Sequence, residues 1–168
     1  DDKILTAWNG MMLRAFAEAG AVLGRRDYVA AAERNADFLL SSLRQDGRLL
    51  RTFKGGIAKL NGYLEDYAFL IDGLIMLHEA TFHERWLREA IGLGDAMVDL
   101  FWDKATEQFY DTGRDHEALI VRPRDISDNA MPSGSSKATE VLLRLAEITG
   151  DAELRSRAVT ALKAAGEL

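Results

Sequence analysis

The chain contains no cysteine, which excludes disulfides and thiolate metal sites and leaves no redox chemistry from which to read a compartment. Only two prolines occur in 168 residues, so little interrupts long helices. No apolar run approaches the roughly 18 residues of a membrane span. Basic residues are the minority: 21 Lys and Arg against 27 Asp and Glu leave a net charge of −6. Such a surface repels phosphate backbones, so neither nucleic acid nor a membrane is expected as a partner. No two His, Asp or Glu residues show metal-ligand spacing. Gly55-Gly56 lacks the Lys-Ser/Thr of a phosphate-binding loop and reads as a flexible turn. Neither a metal nor a cofactor is therefore expected. Asp1-Asp2-Lys3 carries neither a methionine nor a signal peptide, and Gly166-Glu167-Leu168 closes on a helix. Both ends read as cuts from a longer, cytoplasmic chain.

What is present is helix. Apolar spacing predicts six helical stretches, at about Thr6–Leu23, Asp27–Leu43, Tyr63–Thr81, Glu84–Trp102, Pro132–Thr149 and Asp151–Ala165. Asp27 is expected to cap the second, and Pro132 to sit in the first turn of the fifth. The six form three copies of one unit, at about residues 6–53, 63–111 and 132–168. In each, an apolar helix, a tight turn and a more amphipathic helix follow one another. Short extended pieces, Leu49–Phe53 and Gln108–Asp111, close the first two units. Phe109, Tyr110, Ile120 and Val121 suggest a small β-hairpin on the long loop.

The third stretch, from Tyr63 through Leu77, is apolar around most of its circumference and must be covered on nearly all sides. The even helices carry polar faces, such as Glu33, Arg34 and Asp37. Odd helices should be inner and even ones outer, an all-α architecture of the α/α barrel or curved-solenoid type. The long returns, about 45–62 and 103–131, then lie at the inner helices' N-terminal mouth.

That geometry collects Trp8 and Asn9, Tyr63, Glu65, Asp66 and Tyr67, and Asp128, Asn129 and Ser133 on one rim. Glu65 and Asp66 are candidate catalytic carboxylates; the other seven are candidate ligand-binding groups. Rings stack on sugar C–H faces, while carboxylates and amides bind hydroxyls or move protons. Each also has a structural alternative. Glu65 and Asp66 complement a helix dipole, and Asp128, Asn129 and Ser133 can cap. Asp72, seven residues after Glu65, reads as a buried hydrogen-bonded group, His78 as a packed core residue, and His83 and His116 as isolated.

Asp2-Lys3-Ile4-Leu5-Thr6-Ala7-Trp8-Asn9-Gly10, Gly62-Tyr63-Leu64-Glu65-Asp66-Tyr67-Ala68 and Asp128-Asn129-Ala130-Met131-Pro132-Ser133-Gly134 resemble the C-terminal region of the spermatogenesis-associated, thioredoxin-domain-containing proteins. The resemblance implies a helical toroid similar to the six-hairpin glycosidases and N-acylglucosamine 2-epimerases, with this chain supplying three hairpins of about six. It also implies a preceding thioredoxin-like domain, absent here. The expected function is part of a carbohydrate-active or sugar-binding toroid acting at the mouth. As an enzyme it would be glycoside hydrolase-like or sugar isomerase/epimerase-like; the related epimerases rely on mouth histidines, and none stands among the rim residues named. The alternative is a noncatalytic scaffold accompanying the thioredoxin-like domain. Cut edges with Met11, Leu13, Phe16 and Val22 on helix one, and Val141, Leu142 and Leu145 on helix five, are expected to be uncovered and to promote self-association.

Overall fold

A computed structural model describes residues 2–117, 121–125 and 127–166. Ile120 of the expected hairpin and the terminal Glu167-Leu168 lie outside them. Six helices carry the chain: α1 (Thr6–Leu23), α2 (Arg26–Ser42), α3 (Leu64–Thr81), α4 (Glu84–Phe101), α5 (Gly134–Thr149) and α6 (Ala152–Gly166). The strands are β1 (Ile4–Leu5), β2 (Arg44–Gln45), β3 (Arg48–Lys54), β4 (Ile57–Asn61), β5 (Trp102–Asp103) and β6 (Gln108–Phe109).

The inner helices α1, α3 and α5 stand side by side with α3 in the middle, and each packs on its own outer partner, α2, α4 or α6. The predicted coverage of α3 holds: Leu70, Ile71 and Leu74 are completely buried. Small residues let α1 approach α3 backbone to backbone. A Cβ on Gly73 would lie 2.8 Å from the Gly10 carbonyl oxygen, and one on Gly10 would lie 2.7 Å from the Leu70 nitrogen.

The tight turns repeat one device. Gly24, Phe82 and Gly150 each adopt left-handed φ (65°, 56° and 75°) and return a backbone N–H to Gly20, His78 and Ala146 respectively. This is the C-terminal helix stop that favours glycine; Phe82 occupies it with a side chain. Asp27 does not cap α2. The helix begins one residue earlier, after Arg25, because the Gly24 turn already redirects the chain, and the Asp27 carboxylate instead pairs with Arg25 at 2.7 Å.

The returns carry more strand than expected. β3 is the hub of a four-stranded antiparallel sheet, pairing with β1, β2 and β4. Gly55 and Gly56, at φ 58° and 80°, make the two-residue turn between β3 and β4, the geometry a tight hairpin favours. On the second return, Phe109 pairs with Trp102 in a β5–β6 ladder. Val121 is in no strand, so the small hairpin sits earlier in the loop than the sequence suggested.

The uncovered edge of α1 also differs. Leu13 is buried and Met11 and Phe16 are half-buried, because the face bearing Gly10 and Leu13 meets α3, while Gly20 lies against Val29 of α2. Val22 is exposed as expected, and Trp8, Met12 and Ala15 complete the exposed stripe. Val141, Leu142 and Leu145 are completely buried; Ile148 on α5 and Leu162 on α6 are exposed in their place.

Candidate functional site

The N-termini of the three inner helices meet at one rim. Ala7, in the first turn of α1, donates its backbone N–H to Asp66 Oδ1 of α3 at 3.0 Å. On the other side of α3, a Cβ on Gly134 would lie 3.2 Å from the Glu65 nitrogen, so α5 begins directly against α3. The first return is fastened to the same place: Thr6 Oγ1 donates to the Leu50 carbonyl of β3 at 2.6 Å.

Asp66 is spent on this junction. Besides Ala7, it accepts from the Tyr63 backbone N–H at 2.9 Å and from Arg51 at 3.1 Å, and it is almost wholly buried. Burial pushes its carboxyl up to about 6, against the opposing pull of Arg51 and the two backbone donors. Tyr67 is likewise internal: its hydroxyl accepts from the Leu49 N–H at 2.9 Å and from Arg48 at 2.8 Å. Neither group turns a free polar atom to the rim.

Glu65 points the other way, into a cavity of about 420 Å³. The cavity brings together Tyr63, Glu65, Asn129 and Ser133 from the expected set, and adds Asp111 and Asp125. Arg51 reaches Glu65 Oε1 at 2.8 Å while holding Asp66, and its guanidinium lies 4.5 Å from the Tyr63 ring centroid. His116 stacks on the same ring at 5.1 Å. The Tyr63 π surface is therefore already engaged, and stacking on a sugar falls to other rings. Trp8, 61% exposed, is the free aromatic of the rim but does not line the cavity.

Asn9 and Asp128 also serve the frame. Asn9 Nδ2 donates to the Leu5 carbonyl at 2.9 Å. Asp128 Oδ1 accepts from the Ser133 N–H at 2.8 Å, which holds its carboxyl below the usual range. Ser133 caps α5, its Oγ accepting from the Ser136 N–H at 3.1 Å.

The two carboxylates that sequence reasoning missed come from the second return. The Asp111 carbonyl accepts from the Leu64 N–H at 3.0 Å, and its Oδ2 accepts from the Asp125 N–H at 2.8 Å. Burial raises the Asp111 carboxyl above the ordinary range, and the negative charges of Asp125 and Glu65 add to the rise. His116 is not isolated. Its Nδ1 accepts from the Gly113 N–H at 2.9 Å, and Arg48 pairs with the adjacent Asp115 at 2.7 Å, fastening this return to the Tyr63 wall. His78 is half-buried near the far turn, with Nδ1 3.1 Å from the His83 carbonyl, rather than packed in the core.

Further along the same face of α3, Asp72 is 2% exposed. It accepts from Arg14 of α1 and Arg144 of α5, both at 2.6 Å, with Lys137 at 3.4 Å. This carboxylate ties the three inner helices together. Among the described residues, no three His or acidic side chains are grouped to hold a metal ion. No helix among them is long and apolar enough to cross a membrane.

The chain has relatives along its whole length. The chain is 38% identical over 99% of its length to spermatogenesis-associated protein 20 of Rattus norvegicus, and 36% identical over 99% to that of Homo sapiens. The chain is homologous to spermatogenesis-associated protein 20. It spans about 23% of the length of these relatives. No family model matches it.

The fold is that of sugar-processing α/α toroids. A cellobiose 2-epimerase from Bacillus thermoamylovorans superposes with a TM-score of 0.79 at 13% identity, over 96% of this chain and 44% of its own. A GH76 alpha-mannanase from Bacteroides thetaiotaomicron gives 0.78 at 18%, over 98% and 44%. An unsaturated glucuronyl hydrolase from Bacillus sp. GL1 gives 0.70 at 19%, over 96% and 46%. At such identities the likeness is one of fold.

Proposed function

We propose that the rim cavity is a sugar-binding site, and that the chain is part of a carbohydrate-active α/α toroid. The observation that carries this reading is the cavity itself. At the converging N-termini of the inner helices, Glu65, Asp111 and Asp125 share one lining with Asn129 and Ser133. Carboxylates, an amide and a hydroxyl supply the acceptors and donors that a polyhydroxylated ring requires. Fold relatives that epimerise or hydrolyse sugars support the class of ligand.

Within this reading Glu65 is the carboxylate placed for chemistry, oriented by Arg51, whereas Asp66 positions the helices that carry it. Asp111 and Asp125 face the same cavity as Glu65. The scaffold alternative draws on Asp66, Tyr67 and Asp128, whose polar atoms serve the fold.

Saturation-transfer NMR of the chain with neutral mono- and disaccharides tests the proposal. Transfer to at least one sugar, weakened in Glu65→Gln, is the expected result. Absence of transfer to every sugar at tens of millimolar would favour the scaffold.

A further inference from the structure

The charges that face the rim cavity are unbalanced. Glu65, Asp111 and Asp125 line it, and among the described residues no Lys, Arg or His does. The nearby cations are committed elsewhere. Arg51 is shared between Glu65 and Asp66, Arg48 between Asp115 and the Tyr67 hydroxyl, and Arg122 donates to the Thr112 carbonyl. Arg124 donates to Gln108, and its pull on Asp111 is weaker than the push from either neighbouring carboxylate.

The beginnings of α3 and α5 oppose this negative charge. Each helix N-terminus contributes about +0.5 of an elementary charge, so two supply about +1. Arg51 compensates Glu65, which leaves Asp111 and Asp125 against those dipoles. The cavity keeps a net negative field. Both carboxylates are tied to the loop backbone, Asp111 Oδ2 accepting from the Asp125 N–H at 2.8 Å and Asp125 Oδ1 from the Ser127 N–H at 3.0 Å.

We infer that this cavity takes an amino sugar carrying a protonated amine in preference to a neutral sugar, and disfavours uronates and sugar phosphates. The inference rests on reading the cavity as a sugar site. An ammonium near Asp111 and Asp125 relieves the repulsion between those carboxylates, whereas a ligand carboxylate or phosphate adds to it. Hydroxyls of the same ring have Asn129, Ser133 and Tyr63 within the lining. The preference falls with ionic strength, since the charges sit at a partly open rim.

Calorimetric titration of the chain with glucosamine, glucose and glucuronate, at slightly acidic pH and low salt, separates the possibilities. The expected order is glucosamine, then glucose, then glucuronate, with glucosamine favoured over glucose by about fivefold or more. In Asp125→Asn the glucosamine-to-glucose ratio shrinks toward one, a change that partial unfolding would not produce because it weakens both sugars alike. Equal affinities, or tighter glucuronate binding, would overturn the inference and leave the sugar site standing. If none of the three binds, both the sugar site and the inference drawn from it fail.

Discussion

Asp66 Oδ1 accepts a hydrogen bond from the backbone N–H of Ala7 at 3.0 Å, across 59 residues of sequence. One carboxylate thereby registers α1 against α3 and, through Tyr63 and Arg51, fixes the wall from which Glu65 enters the cavity. Asp66→Ala leaves at least two backbone donors without this acceptor in a buried place. Unmade buried hydrogen bonds cost about 1–3 kcal/mol each, so the variant is expected to lose about 2–4 kcal/mol in urea unfolding.

The same group gives the chain a defined pH response. Its folded-state carboxyl is raised to about 6 from 3.8, so the folded state binds this proton more tightly than the unfolded state. The stabilisation it contributes is therefore complete below the unfolded value and is lost as pH rises through about 6. Measured as wild type minus Asp66→Asn, stability should increase as pH falls from 7 to 4, by up to about 3 kcal/mol. An unchanged difference across that range would remove the burial argument.

Asp72 is the second tie. Asp72→Asn leaves Arg14, Arg144 and Lys137 facing one another around an uncharged amide. Breaking a buried pair costs about 3–5 kcal/mol, and the partial exposure of both arginines reduces this to about 2–3 kcal/mol. Denaturant midpoints read the loss directly, and high salt should weaken it.

Phe82 stands at left-handed φ where Gly24 and Gly150 occupy the equivalent turns, and its side chain is 83% exposed. Phe82→Gly relieves a backbone penalty of about 1–2 kcal/mol while giving up little buried surface, offset in part by the entropy of an added glycine. A rise in stability of about 0.5–1 kcal/mol is expected, seen as a higher melting temperature.

Much of the frame was legible from sequence because the apolar period and the glycine stops agree, although Asp27 does not cap α2 and Pro132 precedes Ser133, the cap of α5, instead of entering its first turn. α1 runs from Thr6 to Leu23 as predicted, and the other helices begin and end within two residues of expectation. The phase of α1 was not legible. Met11, Met12, Leu13 and Phe16 make it apolar on more than one face, and the choice falls to small residues, Gly10 admitting α3 closely and Gly20 admitting α2. β4 escaped because its apolar residues do not alternate with burial; Ile57 and Leu60 are both exposed. On the rim, residues opening helices were found, while Asp111 and Asp125 were not. Their places depend on hydrogen bonds between the second return and α3, for which a loop has no periodic signal.

The stripe of Trp8, Met12, Ala15 and Val22 leaves α1 with an apolar face open to water. The chain is therefore expected to associate as its concentration rises, with Met12→Lys shifting it toward monomer. Light scattering across a dilution series checks this; a monomer at all concentrations would show that the stripe is too small to drive association.

The central claim is that the rim cavity receives a sugar, and mapping amide chemical shifts of the isotopically labelled chain during a glucosamine titration tests it most directly. The account predicts saturable shifts concentrated at Tyr63–Glu65, Asp111 and Asn129–Gly134, with α2 and α4 unmoved. Shifts confined to the outer helices, or none at saturating sugar, would contradict it.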